Sequence, residues 1–143
     1  MKNVKIEAGP FVFTARLEIE KAPLTCGFFE SLLPFARKLV HCRWSGEGCW
    51  VPLGDLPSNL LVENATSYPA PGQLMFYPGG LSEAELLLAY GAVHFASKMG
   101  QLAGNHFMTV TSGTNHLAEL GRLTLWEGAQ DLLISSSSDR ALE

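Results

Sequence analysis

The stretch LSEAELLLAYG, residues 81–91, supports two incompatible readings. Ser82 and Glu85 have the spacing of a capping box, and Glu, Ala and Leu all favour helix, so local propensity predicts a helix over 83–90. The apolar run 86–90 lies between turn-forming residues and fits a buried strand equally well. Periodicity does not separate the two. The choice decides the fold, because a helix here interrupts what is otherwise a run of strands.

On both sides of this stretch the pattern is that of short strands. Residues 73–77 (QLMFY) read as a strand, closed by the turn Pro78-Gly79-Gly80. Further on, 105–111 (NHFMTVT) and 131–135 (DLLIS) are strands, and 114–121 is a short helix with Thr114 as N-cap and Gly121 as its stop. Upstream, 38–44 and 49–53 are strands, the second carrying Pro52, which requires an edge or a bulge. Between 54 and 71 lies a long irregular connection with three prolines. Residues 4–7 and 11–19 are strands joined at Gly9-Pro10, with Phe11, Phe13, Ala15, Leu17 and Ile19 on one face. The segment 23–33 changes to helical spacing, with Pro23 in the first turn and Pro34 beyond the end. The serine run from 135 and the residues after it read as a tail, disordered over 136–143.

Composition narrows the function classes. The chain of 143 residues fits one domain. Apolar residues make up 47% and charged residues 17%, more apolar surface than a monomer needs, which predicts a homo-oligomer. Net charge is −4 with lysines and arginines scattered, so a nucleic-acid partner is not expected. No apolar run reaches the length of a membrane span, and no secretory signal is read at the start. Three cysteines, an odd count, argue against a disulfide framework and for the cytoplasm.

Chemistry-bearing residues concentrate in HCRWSGEGCW, residues 41–50. Three stretches, EKAPLTCGFFESLL (20–33), HCRWSGEGCWVPLGD (41–55) and PGQLMFYPGGLSEAELLLAYG (71–91), resemble cyclophilins and their small bacterial relatives. Over residues 4–135 the chain is most similar to an uncharacterised bacterial family of cyclophilin-like proteins. The resemblance implies a mainly β fold: a closed antiparallel barrel of about eight strands with two capping helices. It also implies a strand at 85–91, against local propensity. Arg43 matches the cyclophilin arginine that stabilises a twisting prolyl amide. The rest of that equipment departs: Glu47, Trp50 and Pro52 stand near Arg43 where cyclophilins have Phe and Gln, and Ala84–Leu88 replaces a stretch with paired Phe.

In a filled barrel, ligands bind outside or at a mouth. The expected site is an outer pocket for a small polar or carboxylate-bearing molecule, with Arg43 as anion anchor. His41, Cys49, Trp50 and Tyr77 are its other candidate ligand-binding residues. Glu47, with His94 or His106, is the candidate acid or base for a hydrolase or isomerase. Glu47 and Cys49, two apart, share a strand face. Cys49 becomes a nucleophile only if Arg43 or His41 lowers its pKa, and buried inert cysteine is the commoner case. Cys42 is expected to face the barrel interior. Of Trp44 and Trp50, one is expected in the core and one as an aromatic wall. The segment 94–106 is a candidate lid or an oligomer contact through Phe95, Met99 and Leu102. Histidine spacing and the lack of C-x-x-C predict no metal site, and no glycine pattern predicts a nucleotide or other cofactor. A prolyl isomerase and a non-catalytic binding module remain the alternatives.

Overall fold

The computed structural model describes residues 2–137. In chain order the elements are β1 (Asn3–Ala8), β2 (Phe11–Leu17), α1 (Pro23–Glu30), β3 (Phe35–His41), β4 (Gly46–Gly54), β5 (Ala65–Thr66), β6 (Gln73–Tyr77), β7 (Ala84–Val93), β8 (Ala96–Ser97), β9 (Gly100–Gln101), β10 (Gly104–Ser112), a 3-10 turn (Thr114–His116), α2 (Leu117–Trp126) and β11 (Gln130–Ser136). Eight strands pair in the order β2-β1-β11-β3-β4-β7-β6-β10, and β10 pairs back onto β2. Every pairing is antiparallel. The expected closed eight-stranded barrel with two helices is therefore what forms. β5 adds a short rung to β10, and β8 with β9 makes a separate hairpin. No helix among the described residues is long and apolar enough to cross a membrane.

Residues 84–93 are a strand, so tertiary burial overrides helix propensity. The register across the barrel shows why. Cys49 pairs with Leu88 and Leu88 with Leu74; Val51 pairs with Leu86 and Leu86 with Phe76. These rows face the interior and join its core with Phe13, Phe29, Phe35 and Phe107. Neighbouring residues point the other way. Trp50 pairs with Leu87 and Leu87 with Met75, while Pro52 pairs with Glu85 and Glu85 with Tyr77. On this outer face Met75, Tyr77, Leu87, Ala89, Val93, Phe95 and Leu102 form a second, smaller core. An apolar run without alternation is what burial on both faces requires.

The β8–β9 hairpin covers part of that outer core. Two serines tie down its approach. The Ser45 hydroxyl accepts from the Ala96 amide at 3.0 Å and donates to the Ala96 carbonyl at 3.1 Å. The Ser67 hydroxyl donates to the Leu102 carbonyl at 2.7 Å. Phe95 and Leu102 are buried beneath it, so of the three residues expected at an oligomer contact only Met99 is exposed.

Several boundaries differ from expectation. α1 stops at Glu30, not 33, and β3 begins at Phe35, directly after the cis Leu33–Pro34 bond. β3 ends at His41, which leaves Arg43 and Trp44 on a bend rather than in a strand. β2 ends at Leu17, and Ile19 lies beyond it, exposed. Pro52 sits at a ladder irregularity in β4, opposite no β3 partner. The helix read at 114–121 starts at Leu117 and runs to Trp126, without a side-chain cap from Thr114. Gly121 is mid-helix because Tyr90 of β7 occupies the place of its side chain: a Cβ there would lie 2.4 Å from the Tyr90 ring. Ser136 still pairs with Val4, so the final strand takes in the first residue of the supposed tail; residues 138–143 of that tail lie outside the described residues.

One carboxylate ties the long connection after β4 to the start of α1. Glu63 accepts from the Thr25 amide at 2.8 Å, the Thr25 hydroxyl at 2.8 Å and the Leu24 amide at 3.2 Å, capping α1 from far along the chain. Asn105 of β10 secures the same junction. Its amide nitrogen donates to the Thr25 hydroxyl and the Leu61 carbonyl, and its oxygen accepts from the Glu63 amide. Burial pushes the Glu63 carboxyl up, but the hydrogen bonds from Thr25 and Leu24 outweigh it and the net shift is downward. Its contribution is therefore complete above an unfolded glutamate's 4.5 and is lost as pH falls through the lower folded value. Glu63→Ala should cost about 1–2 kcal/mol in urea unfolding at neutral pH. Glu63→Gln should lose part of the acid dependence of the wild-type curve; a difference between the two that stays constant as pH falls through 4.5 and below would refute this role.

Candidate functional site

A concave pocket with a volume of about 470 Å³ opens on the outer face of the barrel. Trp50 and Leu87, cross-strand partners on β4 and β7, contribute to its lining. The bend after β3 brings Cys42, Arg43 and Trp44, the β8–β9 hairpin brings Lys98 and Met99, and the turn into β7 brings Leu81, Glu83 and Glu85. Large apolar side chains stand exposed around it, Trp44 at 56% and Met99 at 58%. Arg43 and Lys98 are exposed, and neither takes part in the ion pairs of the described residues.

Of the residues expected here, the structure brings Arg43 and Trp50 together and adds Trp44, so both tryptophans line one pocket. Tyr77 lies in the adjoining outer core, its ring edge against Phe95 and its hydroxyl accepting from the Leu81 amide at 2.9 Å. The cysteines are placed opposite to expectation. Cys42 lines the pocket and donates to the Gly46 carbonyl at 3.2 Å. Cys49 is in the barrel core against the Thr124 hydroxyl of α2 at 3.3 Å, and burial pushes its thiol up to about 12. At neutral pH Cys49 holds its proton and no ligand reaches it. Burial raises the Cys42 thiol as well.

The remaining four candidates stand elsewhere. His41 Nδ1 donates to the Cys42 carbonyl at 2.8 Å, and its Nε2 is hydrogen-bonded to the Tyr90 hydroxyl at 2.8 Å. Glu47 does not share the face of Cys49: the ladder slips between Gly46 and Gly48, and the exposed Glu47 carboxylate accepts from the Ala92 amide at 2.8 Å and fills the space beside Gly91. His94 stacks on Tyr68 with ring centroids 4.7 Å apart and bonds Gln101 at 2.8 Å, pinning the foot of the hairpin. His106 is on β10, 2.8 Å from the Thr109 hydroxyl, which donates to Glu18 at 2.6 Å; Arg16 also donates to Glu18. Glu47, His94 and His106 therefore do not converge on Arg43.

Sequence reasoning missed Glu85 as a pocket residue. It is 8% exposed and lines the pocket, and none of the side-chain hydrogen bonds or ion pairs of the described residues involves its carboxyl. Among the described residues no wholly enclosed side-chain oxygen lacks a partner, so the unpaired carboxyl of Glu85 keeps contact with the pocket's open space. Burial first, and the charge of Glu83 second, push it up to about 8. At neutral pH this is a protonated carboxyl that can donate a hydrogen bond. The available signal was a carboxylate inside an apolar run, two positions from Leu87 and hence on its face once the run is read as a strand. Among the described residues no cluster of His, Cys, Asp and Glu is suited to hold a metal.

The pattern of a protein family matches residues 4–136. The chain belongs to the DUF3830 family of proteins of unknown function. No curated protein matches it. Its fold is similar to that of McbB, solved in complex with tryptophan, with a TM-score of 0.73 and 19% identity over 93% of this chain. The matched region is 44% of McbB, so the chain spans less than half of that protein. It is also similar to the hypothetical protein AF2241 from Archaeoglobus fulgidus, with a TM-score of 0.61 and 14% identity over 94% of both chains. At these identities the likeness is one of fold.

Glu85 ties folding stability to pH. Its folded value, about 8, lies above the unfolded 4.5, so the stability it contributes is full below pH 4.5 and declines as pH rises toward 8. Glu85→Gln removes that decline. The variant should gain on the wild type by up to about 1.4 kcal/mol per pH unit across this range in denaturant titrations. A constant difference between the two would mean that Glu85 is ionised throughout.

Proposed function

We propose that the outer pocket binds a small molecule with a flat apolar body and a carboxylate. The observation that carries this reading is the pairing of two exposed, unpaired cations, Arg43 and Lys98, with Trp44 and Trp50 around one concavity. Its volume falls within the range of small-molecule sites. A guanidinium receives a carboxylate as a fork, and tryptophan faces receive a planar ring at little entropic cost. McbB, similar in fold, was solved with tryptophan, a molecule that carries both features. That likeness supports the ligand class and nothing finer.

Hydrolysis or isomerisation of such a ligand needs a proton donor beside it, and Glu85 is the pocket group that offers one at neutral pH. A pocket that only binds uses the same walls. The homo-oligomer expected from composition stays part of the proposal, supported by exposed Leu24, Leu61 and Val62. Light scattering at micromolar protein reads it directly, and a strict monomer would remove it. Three unpaired thiols suit the reducing cytoplasm, where we place the protein.

Calorimetric titration with indolepropionate and L-tryptophan tests the ligand class. At least one should bind, and Arg43→Ala should weaken it about tenfold or more, in keeping with loss of a charge-assisted pair. Equal binding by Arg43→Ala would remove the anchor role, and no binding of either compound at millimolar concentration would count against the pocket reading itself.

A further inference from the structure

We propose that the Glu83–Glu85 side of this pocket receives a positively charged amino group, so that the ligand is a zwitterion whose ammonium and carboxylate are held by different walls. This rests on the pocket being a small-molecule site and extends it to the second charge of the ligand.

Three observations converge. Glu85 is a buried carboxyl without a partner, opening into the pocket. A polar group so placed, in a layer otherwise built of Leu87, Met75, Tyr77 and Phe95, has no protein partner to offset its desolvation and is open to one on a ligand. Glu83 lines the same pocket and adds a second carboxylate. Trp44 and Trp50 supply π-faces, which attract cations as well as rings. The pocket also holds Arg43 and Lys98, yet neither pairs with Glu83 or Glu85. Opposite charges that share a cavity without neutralising one another leave each free for a counter-charge on the guest.

The proton balance follows. The titratable groups around Glu85 are Glu83 on the same turn, Tyr77 on β6, Cys42 and Arg43 on the bend, and Lys98 on the hairpin. Free Glu85 is protonated at neutral pH. An arriving ammonium favours the carboxylate, so the carboxyl proton leaves to solvent and an ion pair replaces a neutral acid. Below pH 8 affinity for such a ligand rises with pH, because less work is needed to remove the proton.

The probes are para-(aminomethyl)benzoate, para-methylbenzoate, which lacks only the amine, and benzylamine, which lacks the acid. Titrations at pH 7 in two buffers of different ionisation enthalpy should show the aminomethyl acid binding about tenfold tighter than the methyl acid, with release of nearly one proton. The methyl acid should release none, and benzylamine should bind weakly but with release. In Glu85→Gln the proton release should disappear and the preference for the amine should collapse. If that variant does not fold, the wild type alone decides: affinity for the aminomethyl acid should rise about tenfold per unit between pH 6 and 7, and that for the methyl acid should not. Equal binding of the two acids without proton release would overturn this inference and leave the pocket reading standing. Failure of all three probes to bind would bring down both.

Discussion

The structure depends on burying one strand, β7, on both of its faces. Inward, Leu86 and Leu88 complete the barrel core with Val51, Cys49, Phe76 and Leu74. Outward, Leu87 and Ala89 need a cover that a barrel alone does not provide, and the chain supplies it with Phe95, Leu102 and the short hairpin between them. Full burial of one leucine-sized side chain contributes about 1.5–3 kcal/mol, and six consecutive residues from Ala84 to Ala89 are buried here. A helix start at Ser82 offers about 1 kcal/mol from its cap and a few tenths per residue from propensity. The comparison is one-sided, and the strand wins. The pocket is a by-product of the same constraint: the outer cover ends short of the start of β7, and Trp50, Leu87 and Glu85 line what it leaves open.

Much of the architecture was legible because β-structure writes itself in alternation and punctuation. The Gly9-Pro10 hairpin, the strand at 73–77, the break at 78–80 and the strand read at 105–111, which runs from Gly104 to Ser112, all follow from local chemistry. Which way side chains point was less legible, and the cysteines show the reason. Inward and outward positions along β4 depend on a ladder that slips between Gly46 and Gly48 and again between Pro52 and Gly54. Cys42 and Arg43 do not lie on a strand at all, so alternation says nothing of them. Gly121 misled for a different reason: a glycine that ends a helix and one that admits a neighbour's ring look alike until Tyr90 is placed over it. Glu85 was read as half of a capping box, a sound local reading that consumed the signal its burial would have given.

The polar groups of this protein divide by whether the fold has already used them. His41, His94 and His106 each hold hydrogen bonds within the fold, and Glu47 and Glu63 are spent on backbone amides of Ala92, Leu24 and Thr25. Such groups brace bends and loop junctions, and recruiting any of them for a ligand would release what it braces. Glu85 braces nothing. Holding a glutamic acid neutral at pH 7 costs about 3 kcal/mol relative to its free ionisation, a cost an apolar side chain at this position would not incur. A domain whose net stability is on the order of 5–15 kcal/mol carries that expense at one residue, in a concavity that also gathers two tryptophans and two free cations. Perturbed acids in clefts mark functional sites for this physical reason: a guest of opposite charge offsets a cost that the fold leaves standing. The location of any chemistry in this barrel is therefore set by the groups the fold leaves unsatisfied, and those lie along the outer face of β7.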